Sequence, residues 1–419
     1  MGWNSWDCFA TTVTEAQTKA QADVMAEKLK SFGWEYVVVD IQWYEPDAKS
    51  FEYRQGAKLT LDGHGRLQPA PNRFPSAANG KGFKALADYV HGKGLKFGLH
   101  LMRGIPREAV QKKLPVLDSL WTADQIADTT STCPWNPDMY GLDMTKPGAQ
   151  AYLNSVFRQY AEWGVDYVKV DDIARPYHQS EVEGVREAID ASGRRMVLSL
   201  SPGETRLDAA AHVKDHANLW RISDDFWDDW KLLYDQFDRC RIWAPVSGPG
   251  HWPDADMLPL GKLRFGEPTK FTRDEQVTMM TLWAVFRSPL MLGCDLTELD
   301  EWTLHLITNS EVLAVNQQSF GGMELRRDAT TRVWTTHLES SPDTVLALFN
   351  VTDRPQTIEV GLQEAKVIAS PHEQSERGVQ ARAKVRDLWS QHELPSVTDK
   401  VSAEVPAHGA RLFRLRPDY

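Results

Sequence analysis

Up to about residue 318 the chain alternates between two patterns of apolar positions. Short apolar runs, typical of buried strands, are separated by longer stretches in which apolar residues recur about every 3.6 positions. The predicted strands are Tyr36–Asp40, Leu95–Leu101, Tyr167–Asp171, Met196–Leu200, Leu219–Asp225, His251–Met257 and Pro289–Gly293. The predicted helices include Glu15–Phe32, Gly82–Lys93, Ala149–Trp163 and Thr272–Phe286.

This alternation predicts parallel strands joined by crossover helices. With the opening segment Met1–Trp6 counted as a strand, the chain offers about eight strand–helix units, which is the pattern of a (β/α)8 TIM barrel. An open doubly wound sheet is the competing architecture, but no GxGxxG motif follows the first strand.

From about Ser319 the pattern changes to apolar and polar residues in strict alternation, with turn residues between the runs. Examples are the stretches that begin at Arg332, Thr344, Thr357 and Ala410. This pattern predicts an antiparallel β-sandwich. We therefore expect a catalytic barrel over residues 1–318 and a C-terminal antiparallel β domain over residues 319–419.

Composition narrows the class of protein. The chain is 42% hydrophobic and 25% charged, as expected for a globular protein, and its net charge of −11 without a basic run argues against a nucleic-acid partner. The longest apolar stretch, Val277–Cys294, is interrupted by Arg287 and Pro289, so we expect no membrane span. A surplus of tryptophan, 16 residues, suits a protein that stacks on sugars.

The cysteines and the first residues of the chain give little information about cofactors or localisation. Cys8, Cys133, Cys240 and Cys294 form no CxxC pair, and no histidine cluster at zinc-ligand spacing is evident, so we expect neither a metal nor a cofactor. No signal peptide precedes the opening motif, and we expect a secreted or periplasmic protein whose signal peptide is absent from this chain. The glycosylation sequon at Asn350 supports secretion only weakly. A second copy of the chain, in a homo-oligomer, is also a partner that the sequence allows.

Polar residues stand where the apolar strand runs end, the position of functional groups in such barrels. Asp40, His100 and Asp171 each end a run, and Lys169 lies two residues before Asp171, on the same face. The same two-residue period places Arg221, Ser223 and Asp225 on one face of the predicted sixth strand. It also places Asp254 and Asp256 on one face of the predicted seventh strand. Converging carboxylates without metal ligands fit glycoside hydrolysis.

Each of these residues also has a structural interpretation. A lone Asp at a strand end is often the N-cap of the next helix, and Asp172 and Asp224 suit that role best. Lys169 could merely neutralise a neighbouring carboxylate, and His100 could be a core histidine. The tryptophans could be packing residues at the barrel mouth; these are Trp3, Trp6 and Trp43.

Several motifs, in order along the barrel, resemble glycoside hydrolase family 27, the α-galactosidase and α-N-acetylgalactosaminidase (melibiase) family. They are Met1–Trp6 (MGWNSW), Gly65–Pro69 (GRLQP), Arg73–Pro75 (RFP), Leu86–Lys96 (LADYVHGKGLK), Tyr167–Asp171 (YVKVD), Arg221–Asp225 (RISDD) and Asp254–Met257 (DADM). The β domain is expected in this family too.

The resemblance implies a retaining mechanism with two aspartates. Asp171 corresponds to the nucleophile and Asp225 to the acid/base, with the two carboxyl groups roughly 5–5.5 Å apart. The acid has to be protonated at rest, which burial or nearby carboxylates favour. By position, the pocket for the terminal sugar is formed by Trp6, Asp40, His100, Lys169, Ser201, Arg221, Asp256 and Met257.

Departures from the family pattern concern the substrate. Many members carry Asp-Asp after the second strand, where the pair grips hydroxyls at the far end of galactose, but here Ile41 follows Asp40. Ser201 resembles the small residue that leaves room for an acetamido group. Ile173 replaces a cysteine, so Cys133 is expected to lack its disulfide partner, and Arg103 in a lengthened third loop is a hypothetical substrate contact.

The predicted function is that of a retaining, exo-acting glycoside hydrolase that releases terminal α-linked galactose. The alternatives are hydrolysis of α-N-acetylgalactosaminides, β-L-arabinopyranosides or isomaltodextran. A catalytically inactive sugar-binding barrel is the alternative from another class, and a metal-dependent hydrolase is a weaker one.

Overall fold

The computed structural model describes residues 1–339, 341–367 and 381–418. By contacts the chain divides into two compact units. The first comprises Met1–Asp225, Asp256–Pro268 and Leu290–Leu299. The second comprises Phe226–Ala255, Thr269–Pro289 and Asp300–Tyr419.

The first unit is built on parallel strands. In chain order they are Gly2–Asn4, Tyr36–Val39, Lys96–Met102, Tyr167–Asp171, Val197–Leu200, Leu219–Arg221 and Met291–Leu292. Each of the first six pairs in parallel with its chain neighbour, and the last pairs in parallel with the first. Because the last strand returns beside the first, the sheet curls back on itself, as the predicted barrel requires.

Helices and short loops connect these strands. The helices are Trp6–Phe9, Glu15–Val24, Met25–Leu29 (a π-helix), Lys84–Gly92, Arg107–Gln111, Ala123–Ile126, Pro147–Trp163, Gln179–Ala191 and Ala210–His216, and the 3₁₀ turns are Ala10–Thr12, Lys30–Phe32, Pro75–Gly80, Leu207–Ala209 and Leu296–Glu298. Small antiparallel strands are Ile105–Pro106, Ala127–Thr132, Met139–Leu142, Lys262–Leu263 and Glu267–Pro268. Gly33 and Gly164 end two of the connections with φ of 93° and 85°, a left-handed conformation that glycine adopts without strain.

The core of the first unit explains two of the tryptophans. Trp3 and Trp43 are fully buried, so they are packing residues. The Trp43 ring lies 5.2 Å from that of Phe83, and its Nε1 donates to the carbonyl of His100 at 2.9 Å. This hydrogen bond connects the loop after the second strand to the third strand, at His100.

In the second unit two antiparallel sheets face each other. Within the described residues the larger sheet has the order Ser319–Arg327, Thr331–Leu338, Thr344–Asn350, Ala410–Pro417, Arg382–Asp387 and His392–Thr398, and the smaller one pairs Gln356–Gly361 with Lys400–Val405. Buried Val333 and Leu346 of the larger sheet share one core with Ile358 and Val401 of the smaller. This is a β-sandwich, as predicted.

The second unit also holds elements that precede the sandwich in the chain. They are the helices Trp230–Trp243, Arg273–Phe286, Glu301–Ile307 and Ser310–Gln318, the 3₁₀ turn Ala244–Val246 and the strand Trp252–Asp254. A helix ends at Gln318 and a strand begins at Ser319. The functional division at residues 318 and 319 stays a prediction.

Three other features bear on the sequence predictions. None of the four cysteines forms a disulfide, so Cys133 has no disulfide partner. Asn350 ends a strand with its side chain fully buried and donating to the carbonyls of Arg354, Val405 and Pro406, so this sequon does not present an accessible amide. None of the helices in the described part of the chain has the length and hydropathy that crossing a membrane needs.

Candidate active site

The carboxyl ends of the parallel strands gather a group of charged side chains. Asp40 follows the second strand, Lys169 and Asp171 end the fourth, Ser201 follows the fifth and Arg221 ends the sixth. All of them belong to the first unit. Because parallel strands end at one rim, residues far apart in sequence meet there, as predicted.

Asp171 is held through both carboxylate oxygens. Its Oδ2 lies 2.7 Å from Nε2 of His100, and its Oδ1 accepts a short hydrogen bond from the Ser201 hydroxyl. Burial alone would raise the pKa of Asp171, but Lys169, His100 and Ser201 together hold that pKa well below its usual range. The carboxylate is therefore ionised at neutral pH and fixed in orientation.

Lys169 supplies the positive charge of the site. Its Nζ lies 3.1 Å from Oδ2 of Asp40 and 3.8 Å from Oδ2 of Asp171. Burial alone would lower the pKa of Lys169, but the two carboxylates raise it above its ordinary value. Asn4 donates to the same oxygen of Asp40 at 2.6 Å, and Ser5 accepts from the Asp40 amide at 2.9 Å, so Asp40 is rigidly held.

Arg221 connects two further carboxylates. Its Nη2 lies 2.6 Å from Oδ2 of Asp256 and 3.2 Å from Oδ1 of Asp225. The Asp256 side chain is 6% exposed, whereas that of Asp225 is 59% exposed. Asp225 therefore faces solvent at the rim.

The period-two argument for these residues was wrong. The sixth strand ends at Arg221, so Ser223 and Asp225 lie on the loop that follows it. The strand Trp252–Asp254 ends before Asp256, whose φ of 85° lies outside the extended region. Asp225 and Asp256 come together through Arg221 and not through strand alternation.

A pocket of about 360 Å³ opens at this rim. Its lining residues are Trp6, Asp40, Ile41, Phe51, Tyr53, Trp135, Lys169, Asp171, Arg175, Pro202, Asp224 and Asp225. Both candidate catalytic aspartates line it, and so do Trp6, Asp40 and Lys169 from the predicted sugar pocket. The other predicted pocket residues are buried and do not line the pocket; they are His100, Ser201, Arg221, Asp256 and Met257. All of them except Met257 connect to the lining through the contacts described above.

One wall of the pocket is aromatic. The Trp6 and Tyr53 rings are stacked at 6.2 Å, Phe51 meets Trp6 edge-on at 5.4 Å, and Trp135 lies 5.5 Å from Tyr53. Burial, together with the charges of Asp171 and its neighbours, raises the pKa of Tyr53, so its hydroxyl stays neutral. An apolar wall opposite charged groups suits a sugar ring, which has an apolar face and polar edges.

Sequence reasoning missed several lining residues, namely Phe51, Tyr53, Trp135, Arg175 and Asp224. All of them lie outside the barrel strands, where no periodicity marks them. The sequence indicated them only by their location in loops that follow barrel strands, since such loops form the active site in this fold. Asp224, proposed as an N-cap, instead pairs with Arg175 in the lining.

Another missed residue is Asp7, which lies in the first helix and is 3% exposed. Burial, with added repulsion from Asp256 and Asp225, raises the pKa of this carboxyl well above its usual range. Both effects favour the neutral form of Asp7, in which it adds no negative charge to a site already rich in carboxylates.

Asp40, His100 and Asp171 have the residue types and spacing to bind a metal ion. The Lys169 ammonium, however, lies against both carboxylates and already balances their charge. A divalent cation there would face a buried positive charge, which is unfavourable. The donor set therefore does not fit a metal.

Arg103 does not contact the pocket, so the hypothesis of a substrate contact is wrong. Its guanidinium donates to Asp172 at 2.8 Å and to Glu181 at 2.7 Å, and all three side chains are buried. Asp172 is therefore not an N-cap; it is one of the two buried carboxylates that pair with Arg103.

Replacing Arg103 with Ala is expected to lower the free energy of unfolding by about 3–5 kcal/mol, because Asp172 and Glu181 would be left buried without a partner. Urea unfolding measures this loss. The exposed pair Arg158–Asp118 offers a control, and Arg158→Ala should cost at most about 1 kcal/mol. A loss of activity in Arg103→Ala at unchanged stability would instead support the hypothesis that Arg103 contacts the substrate.

Family models settle the relationship of this chain. A model described as alpha galactosidase A matches residues 1–143 and 136–318, and one described as the alpha galactosidase C-terminal beta sandwich domain matches residues 328–415. The chain belongs to the melibiase family, glycoside hydrolase family 27. It is a glycosidase, and its barrel and sandwich confirm the predicted fold.

Individual relatives cover the whole chain. The crystal structure of a family 27 β-L-arabinopyranosidase from Geobacillus stearothermophilus is 50% identical, covers 100% of this chain and 96% of its own, and superposes with a TM-score of 0.95. An alpha-galactosidase from Coffea arabica is 31% identical over 100% of this chain and 93% of its own length. Alpha-galactosidase 2 from Arabidopsis thaliana is 29% identical over 99% and 88%.

Proposed function

We propose that this glycosidase is a retaining, exo-acting enzyme that releases terminal β-L-arabinopyranose, with terminal α-galactose as a slower second substrate. The observation that carries the choice is Ile41. It lines the pocket beside Asp40, at the position where many family members place a second carboxylate for hydroxyls at the far end of galactose.

The two sugars differ where Ile41 lies. β-L-Arabinopyranose matches α-galactose in configuration at every shared ring carbon but lacks the exocyclic hydroxymethyl group. A hydroxymethyl group beside an isoleucine finds no hydrogen-bond partner, whereas the bare ring carbon of the pentose is apolar and suits it. The full-length relative that is 50% identical is itself described as a β-L-arabinopyranosidase. The names of the curated relatives support α-galactoside hydrolysis, the original prediction.

We assign the nucleophile role to Asp171. Its low pKa keeps it ionised, and His100 and Ser201 hold its oxygens in one orientation. The carboxylate attacks the anomeric carbon and displaces the aglycone, which forms a covalent glycosyl-enzyme. Ser201 thus acts on the nucleophile, and this role does not depend on an acetamido group in the substrate.

Asp225 is the proposed acid/base. It lines the same pocket as Asp171 and is tethered by Arg221, which Asp256 holds from behind. In the first step it protonates the leaving oxygen, and in the second it takes a proton from the water that hydrolyses the intermediate. A bound sugar would cover this exposed side chain and bring the leaving oxygen next to it.

The rest of the proposed pocket binds or supports the sugar. Asp40 and Lys169 offer an acceptor and a donor to its hydroxyls, and Trp6 offers an apolar face. His100 holds Asp171, and Arg221 with Asp256 holds Asp225. Met257 stays in the proposed pocket by its position in the family motif alone. The catalytic domain is proposed to span residues 1–318, with the antiparallel β domain over 319–419.

The test compares kcat/KM on aryl β-L-arabinopyranoside, aryl α-galactoside and aryl α-N-acetylgalactosaminide. We expect the pentoside to be hydrolysed at least about tenfold faster than the galactoside. Turnover of the galactoside alone would favour α-galactoside hydrolysis, the activity predicted from the sequence. Turnover of the acetamido sugar would make Ser201 the residue that determines specificity. No turnover of any of the three would favour another family activity or an inactive sugar-binding barrel.

Replacing Ile41 with Asp is expected to shift the ratio of kcat/KM for galactoside over arabinopyranoside by about 10- to 100-fold toward the galactoside. The new carboxylate would accept a hydrogen bond from the hydroxymethyl group, worth about 1.5–3 kcal/mol. Steady-state kinetics on both substrates measure the ratio. Ile41→Val, which stays apolar, is the control and should leave the ratio nearly unchanged; an equal shift in both variants would rule out the hydrogen-bond explanation.

A further inference from the structure

We propose a zinc site on the surface of the first unit, formed by His212, His216 and Glu183. Their ligand atoms all lie within 4.8 Å of one another. The two histidines stand four residues apart on the helix Ala210–His216, and Glu183 projects from the helix Gln179–Ala191. The expectation that no histidines stand at metal-ligand spacing was therefore wrong.

The tautomer of His216 is set for metal binding. Its Nδ1 lies 2.8 Å from the backbone carbonyl oxygen of His212. Because a carbonyl oxygen can only accept, Nδ1 carries the proton, and in the neutral ring the lone pair is left on Nε2. A histidine ligand whose other nitrogen donates to a carbonyl is the usual arrangement at protein metal sites.

His212 has a similar support. Its Nδ1 is hydrogen-bonded to the Tyr177 hydroxyl, and its Nε2 lies 3.0 Å from Oε1 of Glu183. Because a carboxylate oxygen can only accept, Nε2 carries the proton in the metal-free ring, and the Tyr177 hydroxyl donates to Nδ1. A bound ion would displace the proton from Nε2, and Nδ1 would then donate to the Tyr177 oxygen while Nε2 and the glutamate oxygen act as ligand atoms.

The two imidazole rings are stacked on adjacent turns of one helix. Their centroids are 4.0 Å apart and the ring planes differ by 15°. Because each Nε2 lone pair lies in its ring plane, the rings have to tilt toward one another before both nitrogens can bind one ion. Little side-chain entropy would be lost on binding, because hydrogen bonds already restrict both rings.

The ligand set selects the class of cation. Two imidazole nitrogens and one carboxylate oxygen suit a first-row divalent ion such as Zn²⁺, whereas Mg²⁺ and Ca²⁺ prefer oxygen ligands throughout. Glu183 is 47% and His212 17% exposed, so water can complete the coordination sphere.

A bound ion would cross-link two helices and the loop before them. Tyr177, hydrogen-bonded to His212, lies two residues after Arg175, which lines the active-site pocket. The ion would thereby stabilise the segment that carries Arg175. The site is independent of the proposed sugar preference.

The test is a calorimetric titration of chelator-treated, full-length protein with ZnCl₂. We expect one ion per chain, a higher melting temperature with zinc, and at least about tenfold weaker binding in His216→Ala and in Glu183→Gln. His392→Ala removes an exposed histidine from the sandwich and should bind zinc as the unaltered chain does. Equal melting temperatures of the zinc-free variants show that each one folds.

Three results would overturn the proposal. They are no zinc binding by the unaltered chain, unchanged affinity in both His216→Ala and Glu183→Gln, and loss of binding in Asp171→Asn, which would place the ion at the catalytic cluster. Copper substituted for zinc adds a direct check, since its electron paramagnetic resonance spectrum should show coupling to two nitrogens, and to one in His216→Ala.

Discussion

Replacing Asp171 with Asn is expected to lower kcat/KM on any substrate by about four orders of magnitude or more. The substitution keeps the shape of the side chain but removes the charge that attacks the anomeric carbon, so no glycosyl-enzyme forms. The loss should appear in kcat on both good and poor leaving groups, because formation of the intermediate depends on the nucleophile in every case. Steady-state assays on the aryl glycosides measure it.

The control for this variant is Asp88→Asn, which alters an exposed aspartate paired with Lys84 on a barrel helix. It should keep full activity, and a single cooperative denaturant transition in each variant shows that both fold. The anomer first released by the unaltered enzyme, followed by proton NMR, should have the configuration of the substrate. An inverted product, or an active Asp171→Asn, would show that the assignment of the nucleophile is wrong.

Replacing Asp225 with Ala should reduce kcat/KM by about 10²–10⁴-fold on a substrate with a poor leaving group. A dinitrophenyl glycoside should suffer far less in the first step, because this leaving group departs without a proton. The expected result is therefore a steep dependence of rate on the pKa of the leaving group, where the unaltered enzyme shows a shallow one. A series of aryl glycosides measures that slope.

Asp224 provides the matched comparison, because it also lines the pocket and is similarly exposed. Its carboxylate is paired with Arg175, whereas Asp225 is held by Arg221, the residue that also binds Asp256. We expect Asp224→Ala to keep the shallow slope. A steep slope in Asp224→Ala and a shallow one in Asp225→Ala would exchange the two assignments.

Apolar periodicity was sufficient to predict the fold. A strand buried on both faces needs a run of apolar residues, and a helix against it needs a 3.6-residue period, so both leave a signal in one dimension. The strand Tyr167–Asp171 lies where it was predicted, and the helix Pro147–Trp163 begins two residues before the predicted start. The predicted strand Leu219–Asp225 was too long, since polar residues near a rim follow no periodicity.

Charged residues inside apolar strands were also informative from sequence. A buried lysine or aspartate is costly without a partner, and the structure provides one in each case: Lys169 with Asp40, and Asp171 with His100. The family motifs added the order of the two catalytic aspartates along the chain. Together these features predicted which residues gather at the rim, but not their distances.

By itself, the sequence determined the barrel, the sandwich, the family and the rim that carries the charges, because each depends on local periodicity or on motifs in order. Only the tertiary structure decided that Arg103 is buried in an ion pair, that Tyr53 and Trp135 form an aromatic wall, and that His212 and His216 meet Glu183. These contacts join segments whose spacing in the chain carries no signal. They arise when loops of irregular conformation pack over a regular scaffold.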